Sequence, residues 1–148
     1  MSDTIHSFED LKCWLACRVL RIFVAKSLVP TLPADERFRL KDQLLRAARS
    51  TTANIAEGYG RFHYLDNAKF CENAKGSCYE VLDHVIIGVD EGHFATTQLE
   101  ETRVLVDSAV RITRGYTAYL RKANSSDSRI NEDSSHYHTS IDPNPYYK

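Results

Sequence analysis

Apolar residues recur every three to four positions along most of the chain, which is the spacing of amphipathic helices. Short links containing proline or glycine separate four such stretches, and the predicted helices cover about 8–29, 34–57, 64–91 and 97–122. We find no candidate β-strand and no internal repeat. Because short links place consecutive helices side by side, the pattern predicts an all-α fold, an up-down-up-down antiparallel four-helix bundle.

The first predicted helix is apolar over a wide face. Its main apolar stripe consists of residues at helical spacing: Phe8, Leu11, Leu15, Val19, Ile22 and Val29. Smaller apolar residues widen this stripe on either side: Cys13, Ala16, Leu20 and Val24. A helix of this kind is expected to be covered on more than one side.

The second helix ends in the stretch 50–61, where small residues precede Gly58 and Gly60. A surface of small residues lets another helix lie close. We predict that Gly58 ends the helix in the left-handed conformation. In the third helix, Gly76 lowers helix propensity by about 1 kcal/mol, and a close helix–helix approach there would explain why it is tolerated.

Composition places the chain among ordinary soluble domains. Hydrophobic residues make up 43%, charged residues 26%, and the net charge is −1, so no global charge signal indicates nucleic acid, membrane or an acidic substrate. No apolar run is long enough to span a membrane and no signal pattern is present, so a cytoplasmic location is expected. Residues 1–123 form the predicted domain, and the polar residues 124–148 are predicted to be a disordered tail.

Known patterns for cofactors and catalysis are not matched. Gly58-Tyr59-Gly60 follows a helix, whereas a phosphate-binding loop follows a strand. A di-iron bundle needs two Glu-x-x-His pairs, but His84 lies four residues after Glu80 and there is no second copy. We therefore expect no cofactor and no enzymatic activity.

Four cysteines lie within helical patterns, at Cys13, Cys17, Cys71 and Cys78. No histidine lies at a helical offset that would complete a zinc site with the first two. The last two are about 10 Å apart along a helix, too far to share an ion. We interpret all four as small buried residues in a reducing compartment, and we expect no metal. The segment His136–His138 could bind a transition metal only weakly.

Asn54 is the most informative polar residue, because it adjoins Ile55 on the apolar stripe of the second helix. A buried amide needs partners. The candidates share polarity and positions near helix ends or close-packing sites: Glu57, Arg61, Ser77 and Glu80. We interpret this set as a polar network that fixes helix register, with a binding pocket as the alternative.

Arginines cluster on two helices. On the second helix these are Arg46 and Arg49. On the fourth helix they share one face: Arg103, Arg111, Arg114 and Arg121. Such faces can contact phosphates, although solvated faces of mixed charge are the commoner cause.

Several motifs together resemble a known family. They are Phe8-Glu9-Asp10-Leu11, Leu32-Pro33 with Glu36, Gln43-Leu44 with Arg46-Ala47-Ala48, the run from Asn54 to Arg61, and Ala74-Lys75-Gly76-Ser77 with Glu80. In this order they resemble the four-helix bundle proteins encoded in intervening sequences of bacterial 23S ribosomal RNA genes, the S23 family. The resemblance covers about residues 8–120.

This resemblance implies a cytosolic bacterial bundle that assembles as a homopentamer and has no established biochemical activity. A related protein is the accessory variability determinant of diversity-generating retroelements, a basic pentamer that binds a reverse transcriptase and nucleic acid. The sequence therefore leaves two hypotheses: a non-enzymatic bundle whose partner is another copy of itself, and an accessory protein that binds RNA or DNA, with a reverse transcriptase as a further partner.

Overall fold

A computed structural model describes residues 4–133 of the chain. Four α-helices make up most of this part: α1, Lys12–Phe23; α2, Leu40–Tyr59; α3, Tyr64–Asp90; and α4, Thr96–Asp133. There is no β-strand between residues 4 and 133. The predicted all-α class and the four predicted helices are thus confirmed.

The chain enters α1 through a capped turn. The Ser7 hydroxyl accepts a hydrogen bond from the Glu9 amide at 3.1 Å, and the Asp10 carboxylate accepts one from the Ser7 amide at 3.2 Å. This reciprocal capping box satisfies amides that would otherwise lack partners. It caps a 3₁₀ turn, Phe8–Asp10, and α1 begins after one extended residue, Leu11.

The link between α1 and α2 is a series of short helical turns. A π-helical turn, Val24–Leu28, is followed by two 3₁₀ turns, Val29–Thr31 and Ala34–Glu36. Proline at position 30 lies inside the first 3₁₀ turn. It has no amide hydrogen to donate, which favours leaving the regular α-helix there.

The core lies between helices that contact each other in a ring: α1 with α2, α2 with α3, α3 with α4, and α4 with α1. The largest fully buried side chains come from all of these elements: Leu20, Leu44, Ile55, Val81, Val85, Val106, Tyr116 and Leu120. None of the described helices combines the length and the apolarity needed to cross a bilayer.

The predicted buried stripe of α1 is partly wrong. Val19 is 53% exposed and Ile22 is 42% exposed. The core instead takes Cys13 and Leu20, which were expected only to widen the stripe, together with Cys17. Because α1 is apolar on two faces, periodicity alone does not select the face that meets α2 and α4.

The glycines act differently from the prediction. Gly58 lies inside α2, and Gly92, with φ 81°, is the one described residue in the left-handed region. A Cβ at Gly58 would lie 2.7 Å from Asn67 Oδ1 in α3, so this glycine permits close helix packing. Gly76 has no atom within 4 Å of its Cβ position, and the close approach expected there is wrong.

Helix α4 is longer than predicted. It continues to Asp133, whereas the predicted end was near 122, so residues 124–133 of the predicted disordered tail are helical. Its last core residue is Leu120. Since the apolar pattern ends with the core, no hydrophobic periodicity indicated the extension. The prediction for residues 134–148 falls outside the described residues.

Candidate functional surfaces and the polar network

Asn54 lies at a half-buried position on α2, one turn after Ser50. Its side-chain amide donates to the Ser50 carbonyl and to Ser50 Oγ, both at 2.9 Å. Ser50 Oγ in turn shares a 2.8 Å hydrogen bond with Ser77 Oγ of α3. Asn54 and Ser77 therefore belong to one network, as expected, but Ser50 connects them.

The other predicted members of the network lie apart from it. The Arg61 guanidinium donates to Glu57 Oε1 at 3.0 Å, and both side chains are about half exposed. Arg61 also lies 4.9 Å from the centroid of the Phe70 ring. Glu80 is exposed and has no polar contact with these residues in the described part of the chain. The predicted five-residue network is thus two separate groups and one solvated residue.

A more deeply buried polar pair was missed. The Asn67 side-chain amide donates to the Tyr116 hydroxyl at 3.1 Å, which connects α3 to α4 inside the core. Asn67 Oδ1 accepts from the Cys71 thiol at 3.6 Å. Asn67 has the same helical spacing as Cys71 and Ala74, so its position on the buried stripe was a signal available in the sequence.

All four cysteines are buried and free, as the interpretation from sequence required. Burial raises the pKa of Cys13 well above its usual value, and burial also raises the pKa of Cys71, to about 12. A hydrogen bond between Cys17 and Cys78 raises the pKa of Cys78 and lowers that of Cys17. The thiols therefore serve as core side chains facing one another from α1 and α3.

A groove with a volume of about 500 Å³ lies between α1 and α2. Its apolar lining consists of Phe8, Trp14, Ile22, Ala25, Leu45 and Ala48, with further alanines on α2. Three cations also line it, Arg21, Lys26 and Arg49. We call this surface the α1–α2 groove. Its lining lacks carboxylates, imidazoles and thiols, the usual general acid–base and nucleophilic groups.

An exposed apolar ridge borders this groove and shares Ile22 with it. It consists of Leu15, Val19 and Ile22, whose spacing of four and three residues places them on one face of α1. We call it the α1 ridge. Leu15 is half-buried, and the other two are exposed.

Ion pairs with carboxylates leave fewer arginines available on the two predicted arginine faces. Arg46 contacts Asp42 at 3.1 Å, and Arg121 contacts Glu72 at 3.5 Å. Arg49 lines the α1–α2 groove. The remaining three arginines on α4 are exposed and have no ion-pair partner among the described residues: Arg103, Arg111 and Arg114.

The fold and these surfaces define a small all-α protein of four helices. Residues 9–115 match the family model described as 23S rRNA-intervening sequence protein. The chain belongs to that family, as the motifs around Asn54–Arg61 indicated. A search of curated proteins found no match.

Proposed function

We propose that this protein is a non-enzymatic, self-associating four-helix bundle whose copies meet through the α1 ridge and the α1–α2 groove. The observation that carries this proposal is the exposure of Val19 and Ile22 on the same helix face. Exposed apolar residues that are contiguous with a larger apolar surface mark contact sites more often than isolated ones do.

The chemistry of the groove supports another copy of the chain as its occupant. Its lining is mostly apolar, and the ridge beside it offers branched aliphatic side chains of the size that fills such a groove. The ridge residues outside the groove, Leu15 and Val19, entering the groove of the next copy give a heterologous contact, which generates a ring when the rotation closes. We propose a ring of five copies, the assembly that the family resemblance implies.

Within each copy we propose the up-down-up-down antiparallel arrangement. Two contacts between α2 and α3 support it: Ser50 meets Ser77, whereas Gly58, further along α2, meets Asn67, which is earlier in α3. Chain order is therefore reversed between the two helices. The short links on either side of α3 favour the same arrangement for α4.

We propose a bacterial cytoplasmic location and no catalytic role. Four free, buried cysteines fit a reducing compartment. The lining of the α1–α2 groove offers no carboxylate, imidazole or thiol for acid–base or nucleophilic work. Self-association through an apolar surface then remains the activity that this groove supports best.

Sedimentation velocity of the full chain over a hundredfold range of concentration tests the proposal. We expect one species with the mass of five chains at micromolar concentration, shifting to smaller species only on dilution. A monomer throughout the range would refute self-association. A stable dimer or tetramer would refute the ring of five and leave the interface to be located by mutation.

A second candidate function, nucleic-acid binding, is favoured by the unpaired arginines of α4. Arg103, Arg111 and Arg114 are exposed without ion-pair partners in the described part of the chain, so they are available for phosphates. A gel-retardation assay with RNA and DNA at low salt tests it. Binding should weaken in Arg111→Gln/Arg114→Gln and persist in Lys12→Gln/Lys69→Gln, which removes two exposed charges elsewhere. Absence of any shift would remove this candidate.

A further inference from the structure

Three potential metal ligands converge where the end of α3 meets the turn before α2. Glu36, Glu91 and His93 each offer one ligand atom, and these atoms all lie within 4.8 Å of one another. His93 Nε2 lies 3.5 Å from Glu36 Oε1 and 3.8 Å from Glu91 Oε2. The three residues come from two distant parts of the sequence, so the fold brings them together.

The distances distinguish two kinds of interaction. A hydrogen bond from an imidazole N–H to a carboxylate is about 2.7–3.2 Å long, and both separations exceed that. Atoms that bind one Zn²⁺ at about 2.0–2.2 Å lie roughly 3.3–3.6 Å from each other in a tetrahedral site. The separation of 3.5 Å falls in that range and that of 3.8 Å is slightly longer, while the two carboxylates lie within 4.8 Å of each other, so a modest adjustment would bring the three atoms around a shared ion.

The backbone fixes the two ligands that follow α3. Gly92, with φ 81°, turns the chain, and the Gly88 carbonyl accepts from the His93 amide at 2.7 Å and from the Phe94 amide at 3.2 Å. Phe94 is buried and packs where Gly88 has no side chain. His93 therefore leaves the helix end in a defined direction, and Glu91 lies one residue before the turn.

Glu36 is held independently of the other two. Its side chain is only 10% exposed, and Oε2 accepts a hydrogen bond from the Leu40 amide at 3.3 Å, at the start of α2. That bond leaves Oε1 directed at His93. Among the described residues, His93 is the one potential cation within ion-pair distance of Glu36, and a buried carboxylate needs a compensating charge.

A polar cavity of about 210 Å³ adjoins the cluster. Glu36 and Glu91 line it together with Gln43. Such a space admits the water ligands that complete the coordination of an ion bound by three protein groups. Arg39 also lines the cavity, and its positive charge opposes a bound cation.

We propose that Glu36, Glu91 and His93 form a binding site for a divalent first-row transition cation. One imidazole nitrogen selects such ions over Mg²⁺ and Ca²⁺, which prefer oxygen ligands alone. The ion ties the end of α3 to the turn that precedes α2 and compensates the buried charge of Glu36.

Calorimetric titration of the untagged full chain with Zn²⁺, and with Co²⁺ followed by visible absorption, tests the site. We expect one ion per chain and a higher melting temperature with the metal present. His93→Gln and Glu91→Gln should each weaken binding by about tenfold or more, since even residues behind the ligands have effects of that order. Arg39→Gln should strengthen it.

Three controls make the outcome decisive. Glu101→Gln removes an exposed carboxylate on α4 and should leave Zn²⁺ affinity unchanged. His136→Gln/His138→Gln removes the histidines outside the described residues and should do the same. Because Glu91 is exposed, its variant is expected to fold, which circular dichroism checks.

The proposal is overturned if Zn²⁺ does not bind, if His93→Gln leaves binding intact, or if the His136→Gln/His138→Gln variant abolishes it. If the separations of His93 from Glu36 and Glu91 change with pH but not with added Zn²⁺, the cluster is an ion pair only, and the proposal is overturned.

Discussion

Gly58 of α2 lies so close to Asn67 of α3 that a Cβ at Gly58 would come within 2.7 Å of Asn67 Oδ1 and 2.9 Å of Phe70 Cβ. The same asparagine donates to Tyr116 of α4. This close approach of α2 and α3 is therefore next to the buried polar contact that joins α3 to α4.

Replacing Gly58 by alanine should destabilise the fold. The new methyl group meets a backbone oxygen and a Cβ that cannot move independently, and overpacking of this kind costs about 1–3 kcal/mol. Urea denaturation measures the loss. The matched control is Gly76→Ala, at an exposed helical position with open space around it, which should stabilise the protein by about 1 kcal/mol. Equal effects of the two substitutions would contradict the packing described for Gly58.

Tyr116→Phe should also destabilise the protein, by about 1–3 kcal/mol, because it leaves the buried Asn67 amide without its acceptor. Tyr79→Phe removes the same hydroxyl from a half-exposed tyrosine of α3 and should change the free energy of unfolding little. Chemical denaturation of the two variants side by side gives the comparison. A Tyr116→Phe variant as stable as Tyr79→Phe would count against the buried contact.

The native cysteines should resist thiol reagents. All four are buried, and burial raises the pKa of Cys13 and Cys71, so the reactive thiolate form of those two is disfavoured in the fold. We expect no labelling by an aromatic disulfide at pH 8 and four labelled thiols in guanidinium. Val104→Cys, at an exposed position of α4, should label once in the native protein. Rapid native labelling of the wild-type chain would contradict the described core.

The sequence was sufficient for the number of helices, for the family and for the burial of the cysteines, since each depends on local periodicity or on motifs. It was not sufficient for the buried face of α1. That helix has two apolar faces, and only its neighbours decide between Leu20 and Val19. The same holds for Gly58 and Gly76, which look alike in sequence but differ in what lies opposite them.

The candidate sites also divide into those predicted from local sequence pattern and those decided by the packing of distant segments. The link from Asn54 to Ser77 was expected from local polarity, although the part of Ser50 was not. The cluster of Glu36 with His93 was missed because its members are remote in sequence and share no helical period. Distances between such residues depend on the packing of whole helices.

The α1 ridge is proposed as the surface through which copies of the chain associate. The most direct test is the native mass of Val19→Glu beside that of Val104→Glu. Both substitutions place a charge on an exposed valine, one on the ridge and one on α4. We predict that Val19→Glu is a folded monomer, whereas Val104→Glu has the mass of five chains, like the wild type. A Val19→Glu protein that keeps the wild-type mass would contradict the claim.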